Sequence, residues 1–320
     1  MCTKIGFAIL SHSEPNQLRS LTATLNAMFD RPAIVCHHDF SKCPLDESKF
    51  EGNVRFVHPH FVTGWGNINV PLAALKAFKE LWERDRPDWF VLLSGSDYPV
   101  KPAEEIIAEL SGGKYDVYLD HREISYRAIP PEQTAKYAFG SPGWISLAYN
   151  RYLGIPLFWW PRPSKARLFS GRFPFVKRYV FLRNPRILDW LNAKRPSRVY
   201  GGDFWFEANA KAIGRLLDDP TLPQLIDYFS GRPNVDEALF HTVLCGHADL
   251  RMCKDHKRYE DWSADGKHPK WLEISDVTKI AASGAHFARK FKPDGVVQDF
   301  IDSNLLGIKP KARAASAFSS

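Results

Sequence analysis

The first 120 residues alternate short apolar runs with segments of helical period, and that alternation narrows the possible folds more than any other feature. "KIGFAIL" (4–10) leads through the polar turn "SHSEPN" into a helix predicted from Gln17 to about Phe29. "AIVCH" (33–37) and "VRFV" (54–57) are strand-like, and "VPLAALKAFKELWERD" (70–85) has apolar residues at helical spacing. "WFVLLSG" (89–95), a helix from about Ala103 to Leu110 and "YDVYL" (115–119) complete the series. Strands that read as near-continuous apolar runs are covered on both faces. The expectation is an α/β fold with a mostly parallel central sheet flanked by helices. Ligands on such sheets bind beyond the carboxyl ends of the strands, where this chain places "SHSEP", "HHDFSK" and "SGSDYP".

Residues 121–198 break the pattern. They are rich in Pro, Arg and aromatics and read as an insertion with short helices, packed on the sheet and facing an acceptor or a membrane. Regularity returns with "GGDFWFEANAKAIGRLL" (201–217), a strand running into a helix, and "NVDEALFHTVL" (234–244), a helix with Asn234 or Asp236 as N-cap. One domain over 1–308 and a disordered tail over 309–320 are expected. The formal charge of +7 is uneven. Residues 151–200 carry 12 Lys and Arg against one acid, Asp189, a net +11 that leaves −4 for the remainder. Such a segment attracts phosphates, an acidic acceptor or an anionic membrane surface, or simply aids solubility. No apolar run has membrane-spanning length, no cleavable leader pattern is seen, and the five cysteines show no zinc or CxxC spacing. The expectation is a cytoplasmic protein with peripheral contact at the inner face of the membrane.

Several constellations could carry chemistry. In "NVDEALFHTVL", Asp236 and Glu237 fall in a predicted first helical turn, where the helix dipole favours the anion. A carboxylate so placed either serves as a general base or merely stabilises the helix. Asp97 in "SGSDYPV" lies at a strand's carboxyl end, and an Asx-type turn explains it equally well. His37, His38 and Asp39 invite a metal reading, but adjacent strand residues point opposite ways. No GxGxxG, P-loop or Asp-x-Asp occurs. If a diphosphate is handled, cations must neutralise it. Arg258 in "HKRYEDW" and Lys290 in "FARKF" are available.

Taken in order, "TGWGN" (63–67), "LLSGSDYPV" (92–100), "GGDFWF" (201–206), "VDEALFHTVL" (235–244), "RYEDW" (258–262), "HP" (268–269) and "FARKF" (287–291) resemble the Core-2/I-branching glycosyltransferase family. "DYP", "FHTVL" and "FARKF" are most similar to its peptide O-xylosyltransferase branch. The resemblance runs from about residue 4 to 300 and is poor over 121–198. It implies a GT-A-type nucleotide-sugar fold, inversion at the anomeric carbon and no metal cofactor. The catalytic base of the family's Pro-Asp-Glu motif maps to Glu237, with Val235 in place of the proline. The diphosphate-binding cations map to Arg258 and Lys290, with Arg289 facing outward. His12, His38 and Asp39 would lie at the nucleoside end, Trp65 and Asp97 near the transferred sugar, and Asp236 and Trp205 as acceptor or structural support.

The resemblance therefore implies transfer of xylose or N-acetylglucosamine from a UDP-sugar to a hydroxyl of a glycan, glycolipid or peptide. Animal members carry a membrane anchor and disulfides, patterns not seen here, so a bacterial-type cytoplasmic enzyme is expected. Two rival readings are a nucleic-acid-binding protein using the basic insert, which has no recognised binding motif, and a glycan-binding protein without catalysis.

Overall fold

The computed structural model describes residues 3–125, 142–163, 175–191, 195–263 and 268–308. The first part runs β1 (Ile5–Ser11), α1 (Pro15–Met28), β2 (Ala33–His38), β3 (Val54–Phe56), α2 (Asn69–Arg84), β4 (Trp89–Ser94), β5 (Tyr98–Pro99), α3 (Ala103–Ser111), β6 (Val117–Leu119) and β7 (Arg122–Glu123). The insertion holds α4 (Pro142–Tyr152), β8 (Ile155–Pro163), β9 (Phe175–Leu182) and α5 (Pro185–Leu191). Then come β10 (Tyr200–Gly201), β11 (Phe206–Asn209), α6 (Ala210–Leu217), α7 (Leu222–Ser230), α8 (Leu239–Gly246), β12 (Met252–Cys253), β13 (Arg258–Glu260), α9 (Val277–Ala282), β14 (Phe287–Arg289) and α10 (Val296–Asn304).

The central sheet has seven strands in the order β12-β6-β11-β4-β1-β2-β3. All its pairings are parallel except those of β11, which lies antiparallel between β4 and β6. This is the expected α/β fold with a mostly parallel sheet. The side-chain period of two sends Ala8, Val35 and Leu92 to one face, and Phe7, Ile9, Ile34 and Val91 to the other. Both faces are covered: α2 packs Ala74, Phe78 and Leu81 on the first, and α1 packs Leu18, Leu21 and Leu25 on the second. Phe78 ties the layers together, its ring meeting Phe90 of β4, Phe206 of β11 and Phe240 of α8. Truncating such a ring to Ala costs about 3–5 kcal/mol.

Three details depart from the sequence reading. The helix predicted from residue 234 begins instead with a separate 3-10 turn, Val235–Glu237, ahead of α8. The insertion contains an antiparallel hairpin, β8 with β9. Pro156, Pro161 and Pro163 obscure that strand's signal, because proline is tolerated only on edge strands, and a two-stranded hairpin has nothing but edges. "RYEDW" and "FARKF" join β5 in a second small sheet, β13-β14-β5. The predicted tail, and Arg167 and Arg172 of the basic segment, lie outside the described residues, and Arg162 and Arg178 do so at their side chains. Arg183 is described: it donates to Ser146 Oγ at 2.9 Å and lies over the Tyr149 ring. Among the described residues no helix is long and apolar enough to cross a membrane.

Candidate active site

A cavity of about 550 Å³ opens at the carboxyl ends of β1, β2 and β4. Two glycine-dependent approaches build its far wall. A Cβ on Gly202 would sit 1.9 Å from the Asp120 carbonyl oxygen, and one on Gly201 would sit 2.9 Å from that of Glu237. Only glycine lets this segment press against the 3-10 turn, and that brings Asp203 and Trp205 to the cavity beside Glu237. Gly66, at φ +67°, has no room for a Cβ against the Asn234 amide nitrogen, 2.9 Å away. The "TGWGN" loop therefore docks on the same turn and holds Trp65, 70% exposed, at the mouth with its ring edge toward His268.

Glu237 lines the cavity with one oxygen tethered on each side. Asn234 Nδ2 donates to Oε1 at 3.3 Å, and Arg151 Nη1 stands 3.5 Å from Oε2. Burial, reinforced by the neighbouring Asp236 charge and opposed by Arg151, pushes its pKa up to about 7. Asp236, also lining the cavity, is pushed up to about 6, again chiefly by burial. The helix-dipole expectation for Glu237 is thus overturned: the residue sits in an isolated 3-10 turn, where desolvation dominates. A carboxylate with a pKa near the working pH is suited to take a proton.

The cavity also carries cationic side chains. Lys290 lines it, and among the described residues its ammonium makes no hydrogen bond or ion pair. Burial, then the neighbouring Arg289 charge, lowers its pKa. Lys42 and His12 line the same cavity. Burial, then the charge of Lys42, lowers the His12 pKa, which favours the neutral imidazole.

Arg289 does not face outward as expected. Its guanidinium stacks 4.4 Å over Trp205 and pairs with Asp97, Nε to Oδ1 at 3.1 Å. Asp97 in turn accepts from the Ser94 amide and hydroxyl, closing the turn after β4 behind the cavity wall. Arg258 is placed differently from the diphosphate position expected of it. Its side chain is 0% exposed, donates to Glu207 Oε1 at 2.6 Å and to the Leu92 carbonyl, and lies under Phe287. His286 bridges the same Glu207 to Glu109. Arg258 is thus part of a buried network joining β13 and β14 to the central sheet. His38 and Asp39 are also buried rather than lining the cavity. His38 bonds Ser11 Oγ and the Cys43 carbonyl. Burial alone would raise the Asp39 pKa, but bonds from Ser41 and Thr63 outweigh it and hold the carboxylate below the usual range. These two residues brace the loops that present Lys42 and Thr63.

Asp203, His256 and Glu260 each bring a ligating atom within 4.8 Å of the others. Both Glu260 oxygens are already engaged, Oε2 by the Trp262 indole at 2.8 Å and Oε1 by Arg289 at 3.4 Å. Burial and the Asp203 charge raise the Glu260 pKa well above the usual range. Sequence reasoning did not single out Arg151, Lys42, Asp203 or Glu260. Asp203, Glu260 and Lys42 stood inside quoted motifs, whereas Arg151 carries no local signal.

The sequence matches the profile of the Core-2/I-Branching enzyme family over residues 12–136 and 177–281. It is 27% identical to β-glucuronosyltransferase GlcAT14A of Arabidopsis thaliana, across 95% of this chain and 65% of that protein. It is also 27% identical to GlcAT14B of the same plant, across 95% of this chain and 66% of the relative. The chain thus spans about two thirds of the length of these relatives. A mannose-1-phosphate geranyltransferase from Thermus thermophilus superposes with a TM-score of 0.30 at 13% identity, covering 78% of this chain and 73% of that one. With a profile match that spans well over half its length, the chain belongs to the Core-2/I-branching enzyme family.

Proposed function

We propose that the protein is an inverting glycosyltransferase that uses a nucleotide-sugar donor without a metal cofactor. The observation that carries this reading is the polarity of one cavity. Lys290, an ammonium with no ion pair among the described residues, and Glu237, a carboxylate of pKa about 7, both line it. A donor diphosphate at Lys290 would direct its sugar toward Trp205 and Glu237. Glu237 takes the proton of an acceptor hydroxyl as the oxygen attacks the anomeric carbon from the face opposite the diphosphate. The carbon–oxygen bond to the diphosphate breaks, and Lys290 stabilises the charge that develops on it. His12 and the loops braced by His38 and Asp39 suit the nucleoside end. Trp65 and Trp262 at the mouth offer apolar faces to a sugar ring.

The plant relatives' names make glucuronic acid the first donor sugar to test, ahead of xylose and N-acetylglucosamine. The acceptor is a hydroxyl of a glycan, glycolipid or peptide. The test is UDP release from a panel of these three UDP-sugars, with and without chelator, on the wild type and on Glu237→Gln. UDP release by the wild type that the variant abolishes supports the reading. Equal release by both removes Glu237 from the chemistry.

A further inference from the structure

We propose that Arg151, on the inserted helix α4, is a positioning residue that keeps Glu237 aimed and anionic for proton abstraction. The assignment rests on Glu237 being the base, and the geometry supplies the rest. Arg151 Nη1 stands 3.5 Å from Glu237 Oε2, an oxygen that is buried and accepts no hydrogen bond from the described residues. At that distance the contact is an ion pair rather than a hydrogen bond. It favours the charged carboxylate without using up a lone pair.

The position of Arg151 is fixed by its own backbone. Arg232 Nη1 donates to the Arg151 carbonyl at 2.9 Å. The next residue, Tyr152, is fully buried and donates from its hydroxyl to the Asn234 carbonyl at 2.6 Å. The Tyr152 carbonyl accepts from Tyr228 Oη at 2.7 Å. The end of α4 is thus stitched to residues 232–234, immediately before the catalytic turn, so the backbone that carries the guanidinium is held beside the carboxylate.

The other groups facing Glu237 show why a cation is needed there. Asp236 on the same turn and Asp203 after β10 are acidic, and Tyr152 has a phenol that burial keeps neutral. Asn234 supplies one long bond. Arg151 is the cation that acts most strongly on this carboxylate among the described residues. Without it, burial and two anions would hold the base protonated through neutral pH.

The test follows the protonation of Glu237 directly and separately from turnover. In full-length protein labelled at the glutamate side-chain carboxyl, the Glu237 carbon resonance is assigned by its loss in Glu237→Gln. Its titration is then compared in wild type, Arg151→Gln and Arg151→Lys. The midpoint is expected to rise by about one pH unit in Arg151→Gln and to return toward wild type in Arg151→Lys. The acid limb of the transfer rate should move by the same amount. Arg151→Gln/Glu237→Gln should be no slower than Glu237→Gln alone, because one residue acts through the other. Arg151→Met, which keeps the apolar stem, replaces the Gln variant if thermal melting shows that variant unfolded. An unmoved midpoint in a folded variant, or losses that multiply in the double variant, overturns the proposal. A midpoint that shifts in a protein that transfers no sugar from any donor sinks the proposed function and leaves the ion pair standing.

Discussion

The amide of Gly202 donates to the carbonyl oxygen of Glu237 at 3.1 Å. That bond ties the antiparallel β11 arm to the 3-10 turn that carries Glu237. It requires a backbone approach that a single methyl group would block, since a Cβ on Gly202 would lie 1.9 Å from the Asp120 oxygen. Gly202→Ala is therefore expected to shift the whole segment, at a cost of about 1–3 kcal/mol, and to reduce turnover with it. Gly231→Ala is the control, because nothing lies within 4 Å of its Cβ. Thermal melting and UDP release distinguish the two, and indistinguishable variants would mean that the close approach is not needed.

Glu237→Gln should retain nucleotide affinity and lose turnover by roughly 10²–10⁴, the usual scale for a general base. In the wild type the rate should rise with pH through about 7, as the carboxyl loses its proton. A rate that stays flat from about pH 5.5 to about pH 8.5 would remove proton abstraction by Glu237 from the slow step.

Lys290→Ala should weaken UDP binding about tenfold to hundredfold, corresponding to a lost charge-assisted contact of roughly 1.5–3 kcal/mol. Chelator should leave the wild-type affinity unchanged. Calorimetry on both proteins separates the terms. Binding that chelator abolishes and the substitution spares would assign the diphosphate to a metal.

Arg258→Ala should act on stability rather than on the donor. Its guanidinium and Glu207 are both 0% exposed, and removing one partner of a buried pair costs about 3–5 kcal/mol. Denaturant unfolding should show that loss. Selective loss of UDP affinity in a variant of wild-type stability would restore the diphosphate role to Arg258.

The same network gives a pH dependence with a definite sign. Burial works against the His286 charge, but Glu207 and Glu109 outweigh it, so the folded-state pKa lies above 6.5. A group shifted upward binds its proton more tightly when folded. Its contribution is complete below pH 6.5 and fades as pH rises through the folded value. Between about pH 6 and pH 9 the wild type should therefore lose more melting temperature than His286→Gln does. Parallel curves for the two proteins would show that the imidazole is not charged in the fold.

The strands were legible where one local rule suffices. "KIGFAIL", "AIVCH" and "WFVLLSG" are apolar without a break because both faces of the sheet are covered, and they appear as β1, β2 and β4. Short pairings such as β5, β10 and β12 carry no comparable pattern, because two residues held by a distant partner need no periodicity. At the candidate site, Glu237, Lys290, Trp65 and Trp205 reach the cavity, whereas Arg258, His38, Asp39 and Asp97 support it from behind. Motif position told which segments meet there, but not which way each side chain turns.

The sequence by itself determined the α/β class, the strand-end loops that form the cavity and the carboxylate and ammonium that line it. These follow from local period and from residue types whose chemistry is their own. Only the tertiary structure decided that Arg289 turns inward while Arg258 closes a buried pair, and that Glu237 titrates near 7 rather than low. Those outcomes are sums over neighbours far apart in the chain, with Arg151, Asp203 and Asp236 converging on one carboxylate and burial setting the strength of each. A charge's partner and its solvent exposure are properties of the folded arrangement, and no local pattern encodes them.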